Sequence, residues 1–200
     1  MSKQADTDYP VHQLIADRWS PYGFSDSVPP TDDLLALFEA ARWAASSYNE
    51  QPWSYIVATR DNADEFDRLL GCLVEGNQTW AGNAPVLALS VASLTFTRNG
   101  KPNAAAIHDL GLAAGNLCLE ATARGLAVHQ MIGILPEVAR ETYQIPDDHQ
   151  PLTGLAIGYA ANPDTLRDAL RKRDESPRER KPLAEFVFAG KWGATTDLIS

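Results

Sequence analysis

An amphipathic helix that leads directly into a β-rich strand constrains the fold of this chain most. Thr31–Ala45 carries apolar residues at helical spacing, at Leu34, Leu35, Leu37, Phe38, Ala41 and Ala44. Thr31 is predicted to be the N-cap, with two aspartates in the first turn, where the helix dipole favours acids. The run Ser54–Thr59 has the composition and length of a strand. The predicted order is therefore helix, short junction, strand.

The junction between these elements, residues 44–53, is rich in small polar groups. It contains two serine hydroxyls and two side-chain amides, and it is closed by Pro52 and Trp53. Such groups suit the recognition of a flat polar ring better than proton chemistry. The alternative interpretation is an ordinary polar loop capped by a tryptophan of the core.

Helical and strand patterns alternate along the rest of the chain. Helices are predicted near the N-terminus and over residues 63–73, 104–124 and 136–143. Strands are predicted over residues 86–92, 127–134 and 152–159, and a loop over residues 75–80. This alternation indicates a three-layer α/β or α+β domain. We expect one domain over residues 1–200, in which residues 160–200 form a C-terminal extension with its own helix.

The composition is typical of a soluble globular protein, with 44% hydrophobic and 22% charged residues. No apolar run approaches the roughly 18 residues of a membrane span, and the polar N-terminus is unlike a signal or transit peptide. Cys72 and Cys118 are expected to be small buried hydrophobes, and no Cys/His cluster has metal-ligand spacing. We therefore expect a cytoplasmic protein with no metal site and no membrane partner.

Charge is distributed unevenly along the chain. The formal net charge of −9 argues against nucleic-acid binding. Residues 167–181 nevertheless contain seven of the 17 basic residues and four acids, so this segment is +3 and the remainder is −12. A local basic cluster on an acidic protein indicates an anionic small molecule rather than a polyanion. A solvated charged face near the C-terminus is the alternative.

The predicted helix over residues 104–124 ends at Gly125 as a C′ residue and contains Gly111 and Gly115, four residues apart on one face. Each glycine costs about 1 kcal/mol relative to alanine in a helix interior. Two on the same face are explained if another backbone approaches closely there. A neighbouring helix of the same chain or a symmetry-related copy would satisfy this requirement.

Several common catalytic motifs are missing from the sequence. It contains no Gly-x-Gly-x-x-Gly, no P-loop and no Gly-x-Ser-x-Gly. The histidines are scattered, at His12, His108, His129 and His149. Hydrolytic chemistry therefore has little direct support.

Residues 46–53, Ser-Ser-Tyr-Asn-Glu-Gln-Pro-Trp, resemble the Pro-Ser-Ser-x-Asn-x-Gln-Pro-Trp signature of the FMN-dependent nitroreductase family. Ala45 stands where the family has proline. The resemblance implies that Ser46, Ser47 and Asn49 contact the flavin of the other subunit in a homodimer centred on the long helix. It also implies an α+β fold of three α/β/α layers, with a mixed, mostly antiparallel central sheet flanked by helices.

Two basic segments, near opposite ends of the chain, also resemble the family. Residues 18–22, Arg-Trp-Ser-Pro-Tyr, are similar to its Arg-x-Ser-x-Arg/Lys element, although Tyr22 replaces the second basic residue. This implies that the phosphate and ribityl chain of FMN are held by Arg18, Trp19, Ser20 and Tyr22. Residues 178–185 resemble a basic-x-Arg element followed by Lys-Pro-Leu-x-Glu. The resemblance assigns Arg178 and Arg180 to the phosphate.

Two internal segments complete the resemblance, which extends over about residues 12–193. Asn77 matches an asparagine that hydrogen-bonds near the ribityl chain and ring. Residues 125–133 are similar to the strand beside the ring, which assigns Gln130, Met131 and Gly133 to the site. Ile132 departs from the usual Gly-Gly or Glu-Gly pair. For Gln130 and Met131, a role as core strand residues is an equal alternative.

The resemblance implies an FMN-dependent oxidoreductase in which the flavin carries the chemistry and no side chain acts as a general base. NADH or NADPH would reduce it, and a nitroaromatic, a quinone or a similar small molecule would then accept the electrons in a ping-pong sequence. The alternatives are a specialised desaturase or dehalogenase of the same family, and a flavin-binding protein without turnover.

Overall fold

Strand β2 (Val86–Ser93) is the centre of the fold, and both of its faces are buried. In the computed structural model, which describes residues 3–199, its side chains alternate between two hydrophobic cores. Leu87 and Leu89 enter one core, while Val86 and Ala88 enter the other. Burial on both faces explains why the sequence of this strand is an unbroken apolar run.

Four strands form one sheet within the described residues, in the order β1-β2-β4-β3. The other three are β1 (Trp53–Thr59), β3 (Ala127–Met131) and β4 (His149–Gly158). Every strand pair is antiparallel, and the register of β2 and β4 shifts between Ser90 and Val91. With helices on both faces, this sheet confirms the predicted three-layer α+β class.

Helices cover the two faces of the sheet unequally. On one face α2 (Thr31–Arg42) packs against α5 (Ala106–Ala123). The other core receives buried side chains from α3 (Ala63–Leu70), α4 (Glu75–Ala81) and α6 (Pro136–Tyr143). None of the helices within residues 3–199 has the length and apolarity needed to cross a membrane. The remaining elements are α1 (Gln13–Asp17), α7 (Asp168–Glu175) and 3-10 turns at Ser47–Asn49, Pro163–Thr165 and Leu183–Glu185.

The structure corrects the predicted boundaries of the second helix. Thr31 is its first helical residue rather than its N-cap, and Pro30 occupies the cap position with no side-chain capping bond. The helix ends at Arg42 rather than at Ala45. In α5, by contrast, Gly125 follows the helix end with φ 72°, as predicted for a glycine in this position.

The loop predicted over residues 75–80 is also corrected, since this segment forms helix α4. Its glycine, asparagine and threonine favour helix only weakly, so tertiary contacts decide the conformation. Trp80 is 1% exposed in the core, and Gln78 Nε2 donates to the Leu73 carbonyl at 2.7 Å.

Strand β3 is shorter than predicted, ending at Met131 rather than at residue 134. The chain turns away from the sheet there because the Gly133 carbonyl accepts from the Val74 N–H at 3.1 Å. The Gly133 carbonyl, which could otherwise extend the hydrogen bonding of the sheet, is therefore bonded to the residue that precedes α4.

Two charged side chains fasten the C-terminal segment to the N-terminal one. Asp174 of α7 is 6% exposed and accepts from the N–H groups of Tyr22 and Gly23, at 2.7 and 3.0 Å. Arg178 donates to three backbone carbonyls, at 2.6, 2.7 and 2.8 Å, those of Lys3, Ala16 and Arg18. These hydrogen bonds join described residues from opposite ends of the chain into one surface, called the wall below.

We expect Asp174→Ala to lower the free energy of unfolding by about 2–4 kcal/mol, because two backbone N–H groups lose their buried acceptor. Urea unfolding measures the change, with Glu175→Ala as the control, since Glu175 is the exposed next residue. Equal effects of the two substitutions would contradict a fastening role for Asp174.

Candidate functional site

A shallow depression of about 410 Å³ lies where α5 meets Arg18 and strand β3. It brings together two residues that the sequence assigned to a cofactor, Arg18 and Gln130. Its floor includes Gly111 and Gly115 of α5. Features that are far apart in the sequence, predicted for different reasons, thus meet in one place.

The two glycines leave this surface open. A Cβ atom built on either Gly111 or Gly115 would meet no heavy atom within 4 Å. The chain itself therefore supplies no backbone that requires these glycines. Leu112, between them, is 40% exposed, so the outward face of α5 is apolar as well as flat.

A larger cavity of about 930 Å³ adjoins the depression, because Arg18 lines both. Three further basic residues line it, namely Arg178, Arg180 and Lys181. The lining also includes acidic and apolar residues of the N-terminal segment, among them Asp6, Asp8, Tyr9, Val11 and Ile15. Four cations around one cavity, on a chain of net charge −9, make this an attractive place for an anion.

The basic residues of this cavity differ in how many donors they have free. The hydrogen bonds of Arg178 to three carbonyls occupy much of its guanidinium, and burial, followed by the charges of Arg18 and Arg180, lowers its pKa. Arg18 makes one long side-chain contact, Nη1 to Ser20 Oγ at 3.4 Å. Arg180 Nη1 donates to the Glu179 carbonyl at 2.6 Å. Arg178 thus shapes the wall, whereas Arg18 and Arg180 keep more donors for a ligand.

Trp19 and Tyr22, the two aromatic residues of the predicted 18–22 element, line neither cavity. The ring of Trp19 lies under Lys3 Nζ at 5.3 Å. The ring of Tyr22 packs edge-on against Trp80 and His129, with centroids 5.0 and 4.6 Å apart. His129 Nδ1 is 2.8 Å from the Pro21 carbonyl, and burial lowers the pKa of this histidine. Tyr22 therefore takes part in an aromatic cluster rather than lining either cavity.

Asn77 and Gly133, both predicted site residues, lie in direct contact. Asn77 Nδ2 donates to the Gly133 carbonyl at 2.9 Å, and Trp80 Nε1 donates to Asn77 Oδ1 at 3.2 Å. A Cβ atom at position 133 would lie 2.4 Å from Asn77 Nδ2, so a larger residue there would displace the Asn77 amide. The amide of Asn77 is used to hold the turn after β3.

Adjacent residues of β3 point to different environments. Gln130 is exposed in the depression, where its Nε2 donates to Cys118 Sγ at 3.3 Å. Burial raises the pKa of the Cys118 thiol, which keeps it protonated. Met131 is 6% exposed and belongs to the core. Met131 is therefore a core residue, whereas Gln130 lies in the candidate site.

The polar junction is held in an unusual conformation. Tyr48, Asn49 and Gln51 have φ values of 54°, 56° and 52°, which residues with a side chain rarely adopt. Ser46 Oγ accepts from the Gln51 N–H at 3.0 Å. None of the residues lining the two cavities belongs to the junction. Within one chain, the structure therefore does not bring Ser46, Ser47 and Asn49 together with Arg18 and Gln130.

Asp109, which the sequence argument did not select, fixes this junction. It is 2% exposed in the first turn of α5, and its Oδ2 accepts from the Ser47 N–H at 2.8 Å. Its Oδ1 is 3.0 Å from Nδ1 of His108, which is largely exposed. The available signal was an aspartate beside the apolar stripe of a mostly apolar helix, because a buried acid requires a donor.

Comparison with known proteins identifies the family to which this fold belongs. The chain belongs to the nitroreductase family, whose model matches residues 15–159. A solved structure described as an oxidoreductase containing FMN is 35% identical, with a TM-score of 0.89, covering 98% of this chain and 99% of that one.

Two relatives extend this comparison. A Mycolicibacterium smegmatis protein, described as an uncharacterized 15.4 kDa protein, is 36% identical over 135 residues, or 66% of this chain and 88% of the relative. A Streptomyces coelicolor protein with the provisional name NADH dehydrogenase/NAD(P)H nitroreductase is 29% identical over 171 residues, or 75% of this chain and 83% of the relative.

We expect Asp109→Ala to accelerate hydrogen exchange at the Ser47 amide and to cost about 1–3 kcal/mol of stability, because that buried N–H loses its acceptor. Exchange measured by NMR reports on the amide directly. His108→Ala is the matched control, since it removes the neighbouring exposed side chain. Unchanged protection of Ser47 in Asp109→Ala would show that the carboxylate does not hold the junction.

Proposed function

We propose that this protein is an FMN-dependent oxidoreductase that uses NADH or NADPH to reduce nitroaromatic, quinone or similar small acceptors. The observation that carries the proposal is the meeting of Arg18, Gln130 and the open glycine face of α5 in one depression, beside a cavity with four basic side chains. The 35% identity to an FMN-containing oxidoreductase supports the choice of cofactor.

The donors present fit the phosphate end of FMN. Arg18 and Arg180 would hold the phosphate, because planar guanidinium groups form charge-assisted hydrogen bonds with it. Arg178 would position them through its bonds to the backbone. The isoalloxazine ring would lie toward Gln130 and the glycine face. Bound there, FMN would supply hydride and electron transfer, which the side chains alone do not provide.

We infer that the working unit is a homodimer. Ser46, Ser47 and Asn49 line neither cavity of their own chain, so a second copy would bring them to the flavin. The open apolar face of α5 is suited to such a contact because Gly111 and Gly115 permit close approach. Each chain would form a single FMN-binding domain, and its partner would complete the flavin site. The dimer would act in the cytoplasm and would bind no nucleic acid.

The two substrates would use the same space over the ring. The nucleotide and the acceptor would occupy it in turn, near Gln130 and the partner's copy of the junction, which includes Tyr48. Among residues 3–199 there is no group of three or more His, Cys, Asp or Glu side chains placed to hold a metal ion. Protons can come from water, so no general base is assigned.

We expect Arg18→Ala and Arg180→Ala each to weaken FMN binding about ten- to a hundredfold, the effect of losing one charge-assisted contact to a phosphate. Titration of apo-protein with FMN measures this. Lys172→Ala is the control, because Lys172 is an exposed cation of the same basic segment that lines neither cavity. Wild-type affinity in both arginine variants would remove them from the phosphate site.

Steady-state kinetics test the proposed function itself. We expect parallel lines in double-reciprocal plots against acceptor at several NAD(P)H concentrations, because one site serves both substrates. Anaerobic NAD(P)H alone should reduce the flavin, and added nitroaromatic or quinone should reoxidise it. Intersecting lines would indicate a ternary complex. Bound flavin without turnover would instead favour a flavin-binding protein, or a specialised reaction with another substrate.

A further inference from the structure

The guanidinium of Arg98 lies over two aromatic rings beside the junction. Its central carbon lies 4.2 Å from the ring centroid of Tyr48 and 5.3 Å from that of Phe96. The two rings meet edge to face, with centroids 5.8 Å apart. Cation–π contact with both rings holds the guanidinium without using its N–H donors.

These donors are not engaged by an acid of the described chain. Within residues 3–199, no carboxylate oxygen lies within 4.0 Å of the Arg98 guanidinium. Of the four other arginines that lie over aromatic rings, Arg42, Arg60 and Arg68 each pair with a carboxylate as well. The fourth, Arg173 over Tyr22, resembles Arg98, since no carboxylate of the described residues lies within 4.0 Å of it. Arg98 is thus an oriented cation whose donors face solvent.

The acid nearest in sequence to Tyr48 is hydrogen-bonded to Thr97 rather than to Arg98. Glu50 Oε1 accepts from the Thr97 N–H at 2.5 Å. Hydrogen bonding to the side chain and backbone of Thr97 lowers the pKa of Glu50, and the positive charge of Arg98 lowers it further. The bond between Glu50 and Thr97 ties the segment carrying Arg98 to the junction. Arg98 is therefore held beside Tyr48, which lies between the proposed flavin contacts Ser47 and Asn49.

We propose that Arg98 binds the anionic group of a flat ligand held over the flavin. The proposal rests on the FMN-dependent function above, because that function places the junction at the ring. A guanidinium held in this way offers two parallel N–H donors, which match a carboxylate or a phosphate oxygen pair. Tyr48 is 75% exposed, so its ring can contact the ligand while Arg98 holds the charge.

The anion has two possible sources with the same chemistry. One is the carboxylate of an aromatic acceptor, and the other is the 2′-phosphate that distinguishes NADPH from NADH. In a ping-pong enzyme the two half-reactions can be measured separately, so each source has its own experiment. Paired ligands that differ only in the charged group then isolate the contribution of Arg98.

The first experiment compares reoxidation of the reduced enzyme by 4-nitrobenzoate and by neutral 4-nitrobenzamide. The second compares reduction by NADPH and by NADH. Wild type, Arg98→Gln, Arg98→Lys and Lys101→Gln are measured in both. Lys101→Gln is the matched control, since it removes an exposed cation from the same segment. Calorimetric titration with benzoate and benzamide gives a readout that does not depend on turnover.

We expect Arg98→Gln to lower the second-order rate constant for one charged ligand about tenfold or more, the effect of a lost charge-assisted hydrogen bond. Its uncharged counterpart should change by less than about twofold. Arg98→Lys should recover only part of the loss, because an ammonium lacks the planar fork. Selective loss with 4-nitrobenzoate identifies an acceptor carboxylate, and selective loss with NADPH identifies the nucleotide phosphate.

Equal losses for charged and neutral ligands, or an equal loss in Lys101→Gln, would overturn the proposal. If the wild type reduces neither nitro compound with either nucleotide, the proposed function fails, and calorimetry then decides the inference alone. Benzoate binding that Arg98→Gln weakens selectively would still support an anion site. Absence of benzoate binding to the wild type in that case would overturn it.

Discussion

Burial of β2 on both faces is the constraint on which the rest of the structure depends. Because its alternate side chains enter different cores, helices must cover both sides of the sheet. On one side that cover includes α5, whose Leu117 and Ala121 are fully buried while Gly111 and Gly115 face outward. The sheet therefore positions both the core face of α5 and the open face that forms the floor of the depression.

Charged groups at the two ends of the chain divide into those bonded to several backbone groups and those that keep more donors free in the cavity. Asp174 and Arg178 spend their hydrogen bonds on backbone groups of the N-terminal segment. Arg178 matches a phosphate-binding position in the sequence, yet its observed contacts are those of a clamp. By closing that wall it brings Arg18 and Arg180 to the same cavity. The carbonyl dipoles that accept from Arg178 partly neutralise its charge, so that three arginines can lie around one cavity.

The sequence was sufficient for features that depend on local periodicity or on glycine geometry. The apolar run of β2, the long helix and Gly125 after its end all follow from such patterns. It was insufficient where distant contacts decide. Residues 75–80 form a helix because Trp80 is buried and Gln78 finds a carbonyl acceptor. In the candidate site, Arg18 and Gln130 were predicted, whereas Asp109 depended on a hydrogen bond to a residue 62 positions away.

The strained backbone of the junction indicates where this segment acts. Three of its residues hold left-handed conformations, each costing about 1–2 kcal/mol without glycine. Asp109, Ser46 and Glu50 offset that cost through hydrogen bonds to backbone N–H groups. The junction lines neither cavity of its own chain, and Tyr48 is left exposed. In the proposed homodimer, this strained and firmly held segment would be the surface that contacts a second copy of this chain.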